Sequence, residues 1–325
     1  MGRATVRFNL VNGRNKSIND EPTSRMRGVR IYTELQKRGW DADRWDGRSH
    51  ADVIVAQYGP AAVIKAAPFC DYVIWDCNDA TFLPHHAYAS MFESGLQEAA
   101  WITTGSPRLL EQVRGMLDDS PCTSYIPEAI DVMYDSVDRR TDSDIIKILW
   151  TGMDDNLQYC KVADSALATV AAKRDIDVVF VTTEATSHGQ SNVETVRSKP
   201  YPSRHVVWSQ ESIVRELGTA SIAIAPLYQC EWCWCKSPNK AAMFAGVGIP
   251  TVASDVPSYR EFIEDGVSGF LPFSPDDWYE PLLRLVESSG LRETVGAAGM
   301  VAARSRYNIE TVIKKWEYVL RRVLG

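Results

Sequence analysis

The sequence predicts an α/β protein of two domains, each built on a doubly wound parallel sheet. The chain has 325 residues, which suits two cores of about 150 residues better than one. Short β-branched runs alternate with longer amphipathic stretches along the chain, as they do in repeated βαβ units. A polar, charge-rich stretch from Asp135 to Asp144, DSVDRRTDSD, interrupts this rhythm. We therefore predict a linker there, between an N-terminal domain at 1–134 and a second domain at 135–306.

The elements follow from these runs in chain order. In the first domain the predicted strands are VRFNLV, ADVIVAQYG and DYVIWDCND, with a first helix in SRMRGVRIYTELQKRGW and a helical segment ending in AAWITTGS. Asn12-Gly13 is a predicted tight turn. In the second domain the predicted strands are IIKILWTG, DVVFVTTE, HVVWSQ, ASIAIAPL and IPTVASD. The last segment, 307–325, has apolar residues at helical spacing and is predicted to be an amphipathic helix.

Composition and charge limit the classes of function. Hydrophobic residues make up 45% of the chain and charged residues 24%, as is ordinary for a globular protein. No apolar run approaches the roughly 20 residues that cross a bilayer, and the first residues lack a signal-peptide pattern, so we expect a cytoplasmic protein without a transmembrane segment. The net charge of −7 disfavours general nucleic-acid binding, although a local basic cleft for a small anion remains possible.

Three cysteines lie close together in the stretch QCEWCWCKSPNK: Cys230, Cys233 and Cys235. A structural zinc site usually needs a second pair of Cys or His ligands, and no second pair appears in the sequence. We therefore predict no metal and reduced cysteines that pack a loop, with a metal site or a redox-sensitive thiol cluster as the alternative.

The end of the same stretch predicts a helix start that suits a phosphate. Ser237 is the expected N-cap, Pro238 the first helical residue, and Lys240 falls in the first turn. Helix N-termini attract anions, and Lys236 and Lys240 add positive charge beside this one. Lysines in the first turn of a helix are repelled by the positive end of the helix dipole. A bound anion would remove this conflict, so the two lysines favour an anion site here. The alternative is that both lysines are solvated surface residues.

The segment PNKAAMFAGVGIPTVASDVPSYREFIEDGVSGFLPFSPDDW resembles the donor-binding half of GT-B glycosyltransferases, especially glycosyltransferase family 4. The shared order is a Lys-containing helix, a Gly-x-Pro turn, a Val-Ala-Ser strand and a Glu-x-x-x-x-Gly-x-x-Gly-x-Leu tail. The resemblance implies two Rossmann-like domains facing across a cleft, with a C-terminal helix that crosses back to the first domain. It also implies that the second domain holds a nucleotide-sugar and the first holds the acceptor.

The resemblance suggests candidate site residues, each with a simpler structural reading. Donor diphosphate binding is assigned to Lys236, Ser237, Asn239 and Lys240, and donor sugar or nucleotide binding to Gly152, Trp208, Ser209 and Glu261. Catalytic roles are assigned to Asp79 and His85, and contact with a phosphate or an acidic acceptor to Arg25 and Arg27. The simpler readings are turn residues for Asp79 and His85, core for Trp208, and a helix surface for Glu261 and the arginines.

The chain departs from the family pattern at two positions. Many relatives carry two glutamates eight residues apart, the second of which binds the donor ribose, and Cys235 and Met243 stand at those positions here. The expected function is a retaining, metal-independent transfer of a sugar from a nucleotide-sugar to a glycan, a lipid-linked sugar or a small metabolite. The alternatives are a non-catalytic nucleotide- or glycan-binding protein and a nucleotide-sugar epimerase.

Overall fold

A computed structural model describes residues 4–10, 24–117, 121–135, 137–140, 145–186 and 188–325. The predicted turn at Asn12-Gly13 and part of the predicted linker, residues 136 and 141–144, lie outside these ranges. Within them, no helix is long and apolar enough to span a bilayer.

The described residues form two compact units. The first comprises the described residues up to Ala129 together with Trp234–Ser237 and Tyr307–Gly325, and the second comprises Ile130–Cys233 and Pro238–Arg306. The four residues Trp234–Ser237 thus belong to the first unit although their chain neighbours belong to the second. This grouping is set by packing and has no counterpart in the sequence pattern.

The strands are β1 (Thr5–Asn9), β2 (Asp41–Arg44), β3 (Ala51–Gln57), β4 (Cys70–Cys77), β5 (Trp101–Thr104), β6 (Cys122–Tyr125), β7 (Ile146–Thr151), β8 (Ile176–Thr182), β9 (Ser203–Val207), β10 (Ile222–Ala225) and β11 (Thr251–Ala253). The α-helices are α1 (Arg30–Lys37), α2 (Pro60–Ala66), α3 (Phe92–Glu98), α4 (Pro107–Arg114), α5 (Asp164–Ala171), α6 (Asn192–Arg197), α7 (Gln210–Thr219), α8 (Glu231–Trp234), α9 (Asn239–Gly246), α10 (Pro257–Arg260), α11 (Tyr279–Glu287), α12 (Ser289–Tyr307) and α13 (Ile309–Leu324). Short 3₁₀ helices lie at Ala67–Phe69, Ala89–Met91, Val132–Tyr134, Asp154–Ala163 and Pro275–Trp278, and a π-helical turn, Ser24–Val29, precedes α1.

Every predicted strand is present, and two local predictions are wrong. Residues 101–104 form strand β5 rather than the end of a helix, because this run of aromatic and β-branched residues is buried between β4 and β6. The predicted first helix is present, and its first six residues form the π-helical turn. Helix α9 begins at Asn239 with Pro238 as its cap residue, so Ser237 is not the N-cap.

Both sheets are entirely parallel and both reverse their strand order once. The first runs β2-β1-β3-β4-β5-β6 and reverses between β1 and β3, and the second runs β11-β10-β7-β8-β9 and reverses between β7 and β10. In open parallel sheets, ligands bind beyond the carboxyl ends of the strands at such reversal points. The topology therefore singles out the residues after β1 and β3 in the first unit, and after β7 and β10 in the second.

Each sheet has apolar side chains packed against helices. In the second unit Ile148 and Trp150 of β7 face one buried cluster, while Leu149 between them faces another that includes α7 and α9. In the first unit, the final helix α13 contributes Trp316 and five other buried residues to the cluster that covers β1 and β3. The prediction that the C-terminal helix returns to the first domain is therefore confirmed.

Candidate functional site

The reversal point of the second sheet brings together two of the predicted site residues, Gly152 and Lys240. Gly152 follows β7 directly, and Lys240 is the second residue of α9. The Lys240 ammonium nitrogen lies 5.7 Å from the centroid of the buried Trp150 ring. A Cβ atom on Gly152 would lie 2.7 Å from Lys240 Cε and 2.8 Å from the Trp150 ring. Only glycine leaves room for the lysine to lie across the end of β7.

The start of α9 is arranged as an anion site would be. Its cap residue, Pro238, makes no side-chain capping bond, and its first turn contains no acidic residue. The early N–H groups of a helix have no partners within the helix and carry a partial positive charge. Asn239, the first residue of α9, and Lys240 are both half-buried. A carboxylate or a phosphate is the group that this helix end would stabilise.

The remaining donor-site candidates of the second unit have local structural roles. Ser209 is exposed and caps α7, because its hydroxyl accepts from Ser212 N and the Ser212 hydroxyl accepts from Ser209 N. Trp208 is half-buried and packs against the apolar cluster that includes α7. Glu261 follows the short helix α10 and is half-buried rather than fully exposed. Their assignment to donor binding stays a prediction.

In the first unit, Asp79 lies beside Lys236. The Lys236 ammonium is 4.0 Å from Asp79 Oδ1. Burial raises the pKa of Asp79, while Lys236 and His86 oppose that rise. Burial lowers the pKa of His86, and Asp79 opposes that change. The predicted residue His85 is exposed, so His86 is the histidine whose charge is coupled most directly to Asp79.

Arg27 is neither a solvated helix residue nor positioned for a ligand, which corrects both readings of the sequence. Its side chain is 2% exposed, and its Nε and Nη2 donate to the two carboxylate oxygens of Asp76 at 2.9 and 2.6 Å. Its Nη1 donates to the Ile126 carbonyl oxygen at 2.7 Å. Burial alone would lower the pKa of Arg27, but the combined effect of Asp76, Glu128 and Tyr125 raises it. Arg25, two residues earlier, is half-buried, and its role stays a prediction.

Ser237 has a partner in the first unit other than the predicted phosphate. Its hydroxyl donates to the carboxylate of Glu128, whose pKa is raised by burial and held down in part by Arg27. A Cβ atom on Gly105 would lie 3.5 Å from both Ser237 Cβ and Asn78 Oδ1. In the part of the chain that the structure describes, neither Asn78 Oδ1 nor Glu128 Oε2 accepts a hydrogen bond. Sequence reasoning missed Asn78, which directly follows β4, and Glu128, which lies three residues after the end of β6.

The cysteines are all free thiols, and Cys230 and Cys233 hydrogen-bond to each other. Cys233 and Cys235 are buried while Cys230 is exposed, and burial raises the pKa of Cys233 to about 11. Among the described residues no group of three or more His, Cys, Asp or Glu side chains is placed to hold a metal ion. Of the cysteines elsewhere in the chain, Cys77 and Cys160 are buried and Cys122 is exposed.

At the positions where many family members carry glutamates, both side chains are buried and neither can hydrogen-bond strongly. Met243 lies in the apolar cluster of α9, and Cys235 is 1% exposed, with its carbonyl oxygen accepting from the Ser106 hydroxyl at 2.7 Å. Both positions where many family members carry carboxylates thus hold buried, uncharged side chains, and Met243 packs among apolar residues.

Comparison with known proteins identifies the fold. No protein-family model matches the chain. A D-inositol 3-phosphate glycosyltransferase of Nocardioides sp. is 29% identical over 118 residues, a match that spans 36% of this chain and 23% of that relative's length.

Two solved structures resemble the whole chain. Sucrose-phosphate synthase from Thermosynechococcus elongatus aligns with a TM-score of 0.70 at 12% identity, covering 99% of this chain and 96% of that one. HepE from Anabaena, in complex with UDP and glucose, aligns with a TM-score of 0.71 at 12% identity, covering 98% and 100%. The chain has the GT-B fold of these glycosyltransferases, as the sequence predicts.

Proposed function

We propose that this protein is a glycosyltransferase that moves a sugar from a nucleoside-diphosphate sugar to an acceptor hydroxyl. The observation that carries the proposal is the placement of Lys240 across Gly152 at the reversal point of the second sheet. Further support comes from the GT-B fold and from the UDP and UDP-glucose complexes of the similar HepE.

The chemistry of the site suits a diphosphate leaving group. When the bond between the anomeric carbon and the diphosphate breaks, negative charge develops on the leaving phosphate oxygen. Lys240 and the first N–H groups of α9 are already held at the end of β7, so they stabilise that charge without reorganising. We propose that Lys240 and Asn239 contact the diphosphate and that no metal ion is required.

We further propose that the product retains the anomeric configuration of the donor, as in family 4. The acceptor hydroxyl then attacks from the face that the diphosphate leaves. The anomeric proton coupling of the product distinguishes the two outcomes, and an inverted linkage would show that this part of the proposal is wrong. Activity in the presence of a chelator tests the metal-independent part.

Removing Lys240 should weaken diphosphate binding without unfolding the protein. A charge-assisted hydrogen bond contributes about 1.5–3 kcal/mol, so Lys240→Ala is expected to weaken UDP binding roughly ten- to a hundredfold. The rise in Tm with saturating UDP measures this, because a ligand that binds only the folded state stabilises it by mass action. The matched control is Lys161→Ala, which removes an exposed lysine of the same unit.

Gly152→Ala tests the same site without removing a charge. The added Cβ would press on Lys240 Cε and on Trp150, so the ammonium must move away from the end of β7. We expect a loss of UDP-induced stabilisation comparable to that of Lys240→Ala. If both variants keep the full response to UDP, the diphosphate is not bound here.

A non-catalytic nucleotide-binding protein is the second candidate. The buried Cys235 and Met243 favour it, because many catalytic relatives have glutamates at these positions. It predicts thermal stabilisation by UDP with no turnover of any nucleotide-sugar. Sugar transfer, or slow hydrolysis of the donor, would exclude it.

A further inference from the structure

Two cysteine thiols of the second unit lie next to each other. Cys230 directly precedes the short helix α8, and Cys233 is the third residue of that helix. Positions three residues apart are neighbours on a helical turn, and in this turn the two thiols hydrogen-bond to each other. The diphosphate site proposed above uses neither thiol, so it leaves this pair without an assigned role.

The two thiols differ in their access to solvent. Cys233 is 0% exposed, whereas Cys230 is exposed. Burial raises the pKa of Cys233 to about 11, and the neighbouring Cys230 adds to that rise. A cysteine reacts as its thiolate, and only where a reagent can reach the sulfur atom. Cys230 is therefore the thiol that an external reagent meets first, and Cys233 is the thiol within reach of the product of that reaction.

Aromatic side chains and the backbone hold the pair in place. The Tyr159 hydroxyl donates to the Cys233 sulfur atom and so opposes the rise in its pKa. The same hydroxyl accepts from the indole N–H of Trp232. The Tyr159 ring meets the Tyr228 ring edge to face with centroids 5.1 Å apart, and Cys230 N donates to the Tyr228 carbonyl oxygen at 3.1 Å. These contacts keep the two sulfur atoms together in the folded state.

The segment that contains Tyr159 connects the thiol pair with the donor site. Tyr159 and Cys160 both lie in the 3₁₀ helix Asp154–Ala163, which follows β7. Burial raises the pKa of Cys160, and the positive charges of Lys199 and Lys240 oppose that rise, so Lys240 lies close to Cys160. A displacement of Tyr159 by its thiol partner thus reaches Lys240 through two adjacent residues of one short helix.

The chemistry open to such a pair is thiol–disulfide exchange with a small disulfide such as oxidised glutathione. The Cys230 thiolate attacks one sulfur atom of the reagent, forms a mixed disulfide and releases one glutathione thiolate. The Cys233 thiol then loses its proton and attacks the Cys230 sulfur atom, which releases the second glutathione thiolate. Two protein thiols are oxidised to one disulfide, and one reagent disulfide is reduced to two thiols, which take up the two protons.

Oxidation would change the contacts around Cys233. A disulfide bond removes both S–H groups and holds the two sulfur atoms closer than a hydrogen bond does. The Cys233 sulfur atom must therefore shift relative to the Tyr159 hydroxyl that donates to it. Lys240 fits across the end of β7 only because Gly152 leaves room for it, so a small shift of the adjoining helix moves its ammonium group.

We propose that Cys230 and Cys233 form a reversible disulfide, and that this disulfide weakens the binding of the donor diphosphate beside Lys240. The pair is thus a redox modification site of the second unit, and its reagent is a small-molecule disulfide. The second half of the proposal rests on the proposed function, because it concerns the same diphosphate site. The first half depends only on the two thiols and their surroundings.

The first experiment follows the thiols of the folded, full-length protein. The protein is equilibrated with glutathione from fully reduced to fully oxidised, alkylated and digested with trypsin. Mass spectrometry then examines the tryptic peptide of residues 216–236, which contains all three cysteines of this loop. We expect a disulfide between Cys230 and Cys233 in oxidised glutathione, and its complete loss when dithiothreitol is added.

Two variants separate the steps of the exchange. Cys233→Ser keeps the exposed thiol but lacks the second one, so it should retain one glutathione on Cys230 as a mixed disulfide. Cys230→Ser lacks the attacking thiol and should form neither the mixed disulfide nor the internal one. Cys122→Ser, which replaces another exposed cysteine, is the matched control and should form the internal disulfide as the wild type does.

The second experiment measures UDP affinity by isothermal titration calorimetry of the reduced and the oxidised protein, after glutathione has been removed. We expect oxidation to weaken UDP binding roughly fivefold or more, as in weak coupling between two linked sites. Dithiothreitol should restore the affinity of the reduced protein. The affinity of Cys230→Ser should be the same before and after the oxidising treatment.

Three results would overturn the inference: no disulfide between Cys230 and Cys233 forms in oxidised glutathione, Cys230→Ser is oxidised as readily as the wild type, or the disulfide forms and UDP binds as tightly as before. These results are distinguishable from failure of the proposed function. That failure would appear in the reduced protein, as the absence of UDP-induced stabilisation that depends on Lys240, and the disulfide would still be seen or excluded by mass spectrometry.

Discussion

At the scale of single residues, burial shifts the pKa values of two neighbouring groups of the first unit, His86 and Asp79. Tyr88 N donates to His86 Nδ1 at 3.2 Å, so this ring nitrogen is an acceptor and a neutral ring carries its proton on Nε2. Burial lowers the pKa of His86 and raises that of Asp79. Both pKa shifts favour the uncharged form of the side chain, and Lys236 limits the rise in the pKa of Asp79. The pair is therefore suited to hydrogen bonding with a neutral ligand.

The lowered pKa of His86 predicts a specific acid sensitivity. The folded state binds the His86 proton less readily than the unfolded chain, whose histidine has a pKa of 6.5. Stability is then fully present above that value and is lost as the pH falls below it, until the folded-state pKa is passed. In His86→Asn, whose amide oxygen can still accept from Tyr88 N, we expect a weaker dependence of Tm on pH between about 5 and 6.5.

The same titration in His188→Asn, which replaces an exposed histidine of the other unit, is the control. The dependence of Tm on pH in this variant should match that of the wild type. If His86→Asn shows an unchanged or steeper acid dependence, His86 is not held neutral by burial.

At the scale of elements, one buried ion pair joins three parts of the first unit. Arg27 lies in the turn before α1, Asp76 lies in β4, and Ile126 follows β6. Asp76 also accepts from the Thr103 hydroxyl of β5 at 2.7 Å. The network fixes the carboxyl ends of β4, β5 and β6 relative to the helical turn, so that the loops carrying Asp79 and Glu128 start from a defined frame.

Breaking this pair should destabilise the first unit strongly. Arg27→Met leaves the Asp76 carboxylate buried without its cation, which typically costs about 3–5 kcal/mol. The free energy of unfolding from urea titration measures the loss. We expect Asp76→Leu combined with Arg27→Met to be less destabilising than the sum of the single changes, because the double variant leaves no unpaired charge. Strict additivity of the two changes would contradict the assignment.

At the scale of the whole molecule, the last helix completes the core of the unit that contains the first residues of the chain. Six residues of α13 at helical spacing, from Val312 to Val323, are buried in the cluster over β1 and β3. Trp316 is 1% exposed and meets Phe8 of β1 edge to face at 6.0 Å. The fold of the first sheet thus depends on a segment some 300 residues away in the chain.

This long-range packing can be tested within one helix. Trp316→Ala removes a large buried aromatic side chain and should cost about 3–5 kcal/mol. Tyr318→Ala, on the exposed side of α13 where its ring meets only the edge of Trp101, should cost about 1 kcal/mol or less. Hydrogen exchange of the β1 and β3 amides measures where the loss occurs. Protection of these strands that survives Trp316→Ala unchanged would show that α13 is not needed for the first core.

Local patterns were sufficient for the fold class, for eight of the eleven strands that the structure describes and for the final helix, because these depend on periodic burial that can be counted along the chain. They also pointed to Lys240, which lies at a helix start, whereas Gly152 was suggested by the resemblance to the family; the assignment of both to donor binding stays a prediction. Residues 101–104 show the limit of this reasoning: a run that adjoins a helical pattern becomes a strand when two neighbouring strands offer it hydrogen bonds.

Three features depend on contacts between distant parts of the chain and could not be read from local patterns. Arg27 looks like a surface arginine until Asp76 is placed beside it, and His86 is distinguished from His85 only by which side of the turn is buried. Gln57 gives no sequence signal either: only the fold buries its side-chain amide, which has no hydrogen-bond partner among the residues that the structure describes. Periodicity encodes which face of an element is buried, whereas the partners of a buried polar group are set by how separate elements come together.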